Sequence, residues 1–278
     1  MAASSLTKAI MRTNTVGSDS SRNEFKLRLV DGPQLGLFSS LGGALLTELF
    51  AACGFDWILI DTEHSPNELG DVVQQLQILN GSRTSAIVRP AHGDPVLIKR
   101  LLDVGVRTIL IPDVRSADQA AAVVRATRYP PHGIRGVSGN SRASLYGLNS
   151  RYGAEAHREI CLLLQIESVE GANNLEEIAA VEGVDGIFIG AADLAASMGH
   201  LGHAGHPEVQ TCVSRILATL KKIGMPAGYL TTDENEYRAR AAEGIAIIGI
   251  ATDTSIITQR ALELISKYRQ CVAALGHR

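Results

Sequence analysis

Val184-Asp185-Gly186-Ile187-Phe188-Ile189-Gly190-Ala191-Ala192-Asp193-Leu194 decides how the rest of this chain reads. It opens as a short apolar run with β-branched residues, the pattern of a strand buried in a parallel sheet. Gly190 ends the run, two small residues follow, and Asp193 opens a helix-like segment reaching Met198. A strand followed at once by small residues and an acid is how an α/β fold presents a ligand to its own backbone amides. Asp193 alone has a plainer reading as a helix cap. Another strand, Cys161–Ile166, shifts the balance because it ends in Glu167, 26 residues before Asp193 and about one βα repeat away. Two acids at the same end of adjacent parallel strands can converge on one hard cation.

The same alternation of apolar strand and amphipathic helix extends in both directions. Strands are predicted at Gln34–Phe38, Trp57–Ile60, Ala86–Val88, Thr108–Ile111, Cys161–Ile166, Gly186–Ile189, Pro226–Leu230 and Ile245–Ile250. Helices follow at Leu41–Ala52, Asn67–Leu79, from Pro95 behind the cap Asp94 to Val104, and at Ser116–Thr127. A last helix is predicted from about Ser255 to Tyr268. Two longer connections contain Tyr129–Glu159 and Ser197–Pro207. Eight strand–helix units in 278 residues predict an α/β fold of the (β/α)8 TIM-barrel type, one domain spanning residues 26–278. The rival, a doubly wound open sheet, lacks a G-x-G-x-x-G fingerprint after the first strand, and no P-loop is present.

Bulk properties narrow the partners. Net charge is −3 and pI about 6.2, which argues against nucleic acid. No apolar run approaches the ~20 residues of a membrane span. Cys53, Cys161, Cys212 and Cys271 have no metal or redox spacing and read as reduced thiols of a cytoplasmic protein. Residues 1–25 are expected to form a flexible or loosely docked extension. The first 22 are Ser-, Thr- and Ala-rich, with few basic residues for a transit peptide and no h-region for a secretory signal.

In a barrel the C-terminal strand ends ring the active site. Read in order they carry Ser39 and Ser40, then Asp61, Glu63 and His64, then Arg89, Glu167 and Asp193. His64 can hold or relay a proton near neutral pH, with Asp61 or Glu63 to orient it or to support a metal's water ligands. Alternatively, Asp61 or Thr62 caps the helix beginning near Pro66. Arg89, between an apolar strand and Pro90, should leave the strand end, where it can pair with carboxylate or enolate oxygens. Its alternative is a structural ion pair at the rim.

These residues resemble the HpcH/HpaI family of metal-dependent class II 2-oxo-acid aldolases, most of all its 4-hydroxy-2-oxoheptanedioate aldolase branch. The resemblance runs from about Gly36 to Tyr268. It is carried by Gly54-Phe55-Asp56-Trp57 leading to Asp61-Thr62-Glu63-His64, by Val88-Arg89-Pro90, and by Arg125 to Pro131 with Gly133-Ile134-Arg135-Gly136. Gln165-Ile166-Glu167 and Val184 to Leu194 complete it. It implies Glu167 and Asp193 as ligands of a divalent metal, Mg2+, Mn2+ or Co2+. It also implies Arg89 as enolate stabiliser, His64 as the centre of proton transfer, Asp61 as its support and Gln165 beside the metal's waters. Gly190, Ala191, Ala192 and Asp193 would line the substrate. Where the family usually has Gly-Pro-Ala-Asp, this chain has Ala191 in the proline position, which loosens the loop but keeps the Ala192 N–H. The implied reaction is reversible cleavage of a 4-hydroxy-2-oxo acid to pyruvate and an aldehyde, through a pyruvate enolate held at the metal. The branch further implies a place in aromatic-compound catabolism and a homohexamer whose subunits exchange their last helix.

Rival readings are a related enzyme of acyl-CoA cleavage, oxaloacetate decarboxylation or ring formation, or a barrel that binds an oxo acid without turnover. A Schiff-base mechanism has no candidate, since Lys99 is the lone lysine between residues 27 and 220 and lies within a helix. His200, His203 and His206 recur every three residues, but Gly199, Gly202 and Gly205 interleave them, so a helix presenting one face is not expected. The segment reads as a variable, lid-like loop rather than an independent metal site. Arg125, Arg128, Arg135 and Arg142 read as part of a long active-site loop, some of them structural.

Overall fold

The computed structural model describes residues 22–275. Eight parallel strands close into a barrel in sequence order: β1 (Gln34–Ser39), β2 (Trp57–Asp61), β3 (Ser85–Arg89), β4 (Thr108–Ile111), β5 (Cys161–Ile166), β6 (Gly186–Ile189), β7 (Ala227–Leu230) and β8 (Ile247–Thr252). The predicted barrel is thus the observed one, with three strands at the predicted bounds and the ends of the others displaced by at most two residues.

Strand period two sorts the side chains. Phe38, Trp57, Leu59, Ile87, Leu110, Cys161, Leu163, Phe188 and Ile247 fill the barrel interior. The alternate set, including Ile58, Ile60, Val88, Ile109, Leu162, Leu164 and Ile187, packs outward under the helices. Large interior rings face strand glycines: a Cβ on Gly36 would lie 2.0 Å from the Trp57 ring, and one on Gly228 would lie 2.3 Å from the Phe188 ring. The parity that sends Trp57 and Leu59 inward also sends Asp61 inward at the next step, and the same rule applies to Arg89 after Ile87 and to Gln165 after Leu163. The polar residues of the barrel mouth are therefore the top layer of the same pattern that builds the core.

The far end of the barrel is stoppered. Phe25 is fully buried among the interior residues, and Asn23 caps the helix Glu24–Leu27 while its amide donates to the carbonyls of Arg107 (3.2 Å) and Glu159 (3.0 Å). The expected flexible extension falls mostly on residues 1–21, outside the described residues. Asn23, Glu24 and Phe25 do not belong to it, because burying the Phe25 ring is what closes the barrel floor.

Helix starts depart from expectation for identifiable reasons. The first barrel helix begins at Ala44, not Leu41, because Gly42 and Gly43 hold φ of 66° and 90°, outside the right-handed helical region, while the Leu41 N–H donates to Asp253 Oδ2 at 2.8 Å. The second begins at Leu69, where Glu68 and Asp71 form a reciprocal capping box. The last helix runs from Asp253 to Leu275, longer at both ends than predicted. In the β4–β5 connection, Arg135 is buried between the rings of Tyr129 and Tyr152 and pairs with Asp103 at 2.8 Å. Arg142 donates to the Val104 carbonyl at 2.7 Å. These two arginines hold the connection to the end of the helix Pro95–Asp103.

Candidate active site at the barrel mouth

β2 and β3 pair so that Asp61 lies directly opposite Arg89. Neighbouring strands are about 4.8 Å apart, so the two inward side chains must meet. They form a fork: Arg89 Nε donates to Asp61 Oδ1 at 2.9 Å and Nη2 to Oδ2 at 2.8 Å. Glu63 Oε2 approaches Arg89 Nε at 3.1 Å, and the Phe38 ring lies beneath, 5.5 Å from the guanidinium carbon. Arg89 is 6% exposed, so this clamp leaves it almost no rotational freedom. Its remaining nitrogen, Nη1, points toward Gln165 Oε1 at 3.5 Å.

The row continues through β5. Gln165 Nε2 donates to Glu167 Oε2, and the Asp113 N–H donates to Glu167 Oε1 at 2.8 Å. Both carboxylate oxygens are therefore fixed. Gly190, at the end of β6, lets the backbone pass against this group: a Cβ there would lie 2.4 Å from Glu167 Oε2. Asp193 stands in the first turn of the helix Ala191–Ser197, exposed at the mouth. Its carboxylate makes no capping hydrogen bond or ion pair among the described residues, so the helix-cap reading fails.

Charge at the mouth is unbalanced. Burial works to raise the Asp61 carboxyl, but the Arg89 hydrogen bond and charge outweigh it and hold Asp61 below its ordinary value. Asp61 thus takes most of the Arg89 guanidinium, with Glu63 sharing its Nε. Burial raises Glu63, only partly opposed by Arg89 and His64. Glu167 is pushed up to about 7, first by burial and then by the charges of Asp193 and Glu63, against the opposing hydrogen bond from Gln165. Asp61, Glu63, Glu167 and Asp193 together outnumber the one buried guanidinium among them, and a desolvated Glu167 gripped by two donors beside Asp193 fits a divalent cation of oxygen-ligand type.

The sequence reading and the geometry differ at Asp61. Its carboxylate does not reach the His64 ring; it is spent on Arg89, and it accepts the Glu63 N–H at 3.1 Å. Nor does it cap the next helix, which is capped by Glu68. His64 is mostly exposed, with Nε2 3.7 Å from Glu63 Oε2, so Glu63 is its carboxylate neighbour. Arg89 combines both of its readings, an ion pair on one edge and an inward-facing donor on the other. The Asp113 amide was not foreseen. Its only sequence signal is Pro112-Asp113 directly after β4. Ser39 turns away from the ligand space and donates to the fully buried Asp253 at 3.0 Å, tying β1 to the last helix.

The profile of the HpcH/HpaI aldolase/citrate lyase family matches residues 34–259. The chain is 47% identical over 247 residues to the pyruvate aldolase of Rhizobium etli, covering 88% of this chain and 97% of that protein. It is 45% identical to the hydroxypyruvate/pyruvate aldolase of Pseudomonas aeruginosa, covering 89% and 93%. The crystal structure of an HpcH/HpaI aldolase/citrate lyase family protein from Burkholderia cenocepacia superposes with a TM-score of 0.86 at 38% identity, covering 89% of this chain and 99% of that one. Among the described residues, no helix is long and apolar enough to cross a membrane. The chain belongs to the HpcH/HpaI aldolase/citrate lyase family and is an aldolase, an enzyme of the aldehyde-lyase type.

Proposed function

We propose that this enzyme cleaves a 4-hydroxy-2-oxo acid to pyruvate, or hydroxypyruvate, and an aldehyde, and runs the reverse addition, with a divalent metal as cofactor. The observation that carries this reading is the fixed row Asp61–Arg89–Gln165–Glu167, with Glu63 also on Arg89 and the Asp193 carboxylate facing the row without an ion pair among the described residues. The two donors are suggested by the relatives named for pyruvate and hydroxypyruvate. Glu167 and Asp193 would hold Mg2+, Mn2+ or Co2+. When bound, the cation supplies Lewis-acid polarisation of the 2-oxo group.

The chain's own residues supply the rest. The N–H groups of Ala191, Ala192 and Asp193 precede the first intrahelical bond, from Leu194 N to Gly190 O, and are left to receive the substrate carboxylate. His64 Nε2 takes the 4-hydroxyl proton, directly or through water. The C3–C4 bond then breaks, the aldehyde carbonyl forms, and the bonding electron pair moves onto the pyruvate fragment as its enolate. Arg89 Nη1 donates to the developing enolate oxygen. A proton delivered to C3 completes pyruvate. Release of pyruvate from a panel of hydroxy-oxo acids, with and without chelator and against acyl-CoA esters, tests the reading. Turnover of the esters alone would exclude it.

A pH dependence follows from Glu167. A carboxyl raised from 4.5 to about 7 binds its proton more tightly folded than unfolded. Its ionisation therefore opposes folding, and the metal-free protein should lose stability as pH rises across that window. A cation removes this penalty but must displace the proton below about pH 7, where its affinity should fall by up to about tenfold per pH unit. In thermal scans the shift produced by Mg2+ over EDTA should grow from pH 5 to pH 8. A shift that is flat with pH would contradict the assignment of Glu167 as a ligand.

The last helix, Asp253–Leu275, leaves Ile257, Leu262, Ile265, Tyr268 and Val272 exposed. Leu41, Leu45 and Leu49 are exposed near β1. So much apolar surface suits a subunit interface, and the family resemblance points to a hexamer exchanging this helix. Light scattering should return six times the 29.6 kDa chain mass. A species at the single-chain mass would count against it.

A further inference from the structure

His200, His206 and Glu208 meet on the loop between the Asp193-bearing helix and the helix Pro207–Ile223, and we propose that they form a second metal site, for a borderline cation such as Zn2+. One ligating atom from each lies within 4.8 Å of the others. The grouping is produced by the loop itself, not by a helix face. The His203 N–H donates to the His200 carbonyl and the His206 N–H to the His203 carbonyl, each at 2.9 Å. Two turns in succession fold residue 206 back over residue 200. Gly199 and Gly202, at φ of 86° and 78°, supply backbone conformations that other residues resist. Gln210 Nε2 pins the loop through the Ala204 carbonyl at 2.8 Å. The interleaved glycines, which in sequence argue against a histidine-bearing helix, are what allow this arrangement. His203 stays outside the cluster.

The nitrogens available match the chemistry. His200 Nε2 lies 2.9 Å from Glu208 Oε2. His206 accepts the Glu208 N–H on Nδ1 at 3.3 Å, capping the helix and leaving Nε2 free to ligate. The two rings stack at 3.7 Å between centroids and 17° between planes. Ligands of tetrahedral zinc are about 3.3 Å apart, from bonds of 2.0–2.1 Å, so chelation needs one half-exposed ring to turn out of the stack by an ångström or two. Two imidazoles, one carboxylate and an open fourth position for water suit Zn2+, Ni2+ or Cu2+ and disfavour Mg2+. The oxygen donors of Glu167 and Asp193 suit Mg2+, and an excess of it keeps the mouth occupied while zinc binds at the loop.

The inference stands independently of the reading of the barrel mouth. Untagged protein in excess Mg2+ is titrated with Zn2+ by calorimetry, and thermal unfolding is followed in parallel. The expected result is one zinc per chain with a rise in unfolding temperature. His200→Gln and His206→Gln should each weaken binding at least about tenfold, the loss that even an outer-shell partner of a metal causes, while His203→Gln should bind like wild type. Unfolding without zinc reports whether each variant is folded, and His200→Gln keeps the proposal testable if loss of the His206 cap destabilises its helix. Glu167→Gln should still take up this zinc, which separates the site from the barrel mouth. Zinc affinity unchanged in folded His200→Gln, or lowered equally by His203→Gln, would overturn the proposal and leave adventitious surface binding.

Discussion

Arg89→Ala should lower kcat by about two to three orders of magnitude, the usual consequence of removing one preorganised donor to a developing oxyanion. The clamp explains why the loss should fall on kcat. Asp61 grips Nε and Nη2 at 2.9 and 2.8 Å, and Glu63 also faces Nε, so Nη1 alone is aimed into the mouth before substrate arrives. A donor fixed in advance needs no reorganisation when charge develops. Arg89→Lys should already be poor, since an ammonium cannot fork onto Asp61 and present another donor at the same time. Asp61→Asn should resemble the arginine variants rather than a histidine variant, because the arginine is what Asp61 holds. His64→Ala should impair aldol cleavage while sparing steps that need only the enolate. Deuterium exchange into pyruvate C3 separates these cases. It should collapse in Arg89→Ala and fall in Asp61→Asn, but survive in His64→Ala. Wild-type exchange in Arg89→Ala would reduce Arg89 to a substrate clamp or a structural partner of Asp61.

What could be read in the sequence depended on which interactions run along the chain. The strands are nearly pure apolar runs, so their polar ends stood out. Asp61, Arg89, Gln165 and Glu167 all lie at the mouth on that basis. Pairings between strands were a different matter. A linear pattern offers His64 its local neighbours, Asp61 or Glu63, and the family resemblance implies Asp61; Glu63 is the one beside the ring. The register of β2 on β3 gives Asp61 to Arg89 instead, 28 residues away. The Asp113 amide was invisible for a related reason: a backbone N–H has no residue identity, and its aim depends on the turn after β4. The histidine loop is legible only in part. Its glycines were read as breaking a helix, which they do, but the turns they permit stack His200 on His206.

Glu167→Gln should cost the most activity, at least about three orders of magnitude in kcat/KM. Loss of Lewis-acid stabilisation is worth several kcal/mol, and each decade corresponds to 1.36 kcal/mol. Asp193→Asn should act in the same direction. The two sites differ in what the metal-free fold should feel. Asp193 is exposed and makes no ion pair among the described residues, so its loss removes only its repulsion of Glu167 and Glu63 and should leave metal-free unfolding unchanged or slightly later. Glu167 is 7% exposed, and burial and two neighbouring carboxylates work against its charge. Glutamine removes that charge at constant shape, although the Asp113 N–H or the Gln165 amide is then left facing an NH2 group. Above pH 7 the gain should outweigh the lost hydrogen bond, so metal-free Glu167→Gln should unfold no earlier than wild type while no longer being stabilised by Mg2+. Gly190→Ala should reach the same loss of metal by steric means alone, since its Cβ would meet Glu167 Oε2 at 2.4 Å and the Gln165 amide at 2.8 Å. That variant keeps every charge, so its unfolding should still depend on pH through Glu167. Chelator-insensitive activity in wild type, or Mg2+ stabilisation retained in both Glu167→Gln and Gly190→Ala, would mean that the carboxylate cluster is not where the cation binds.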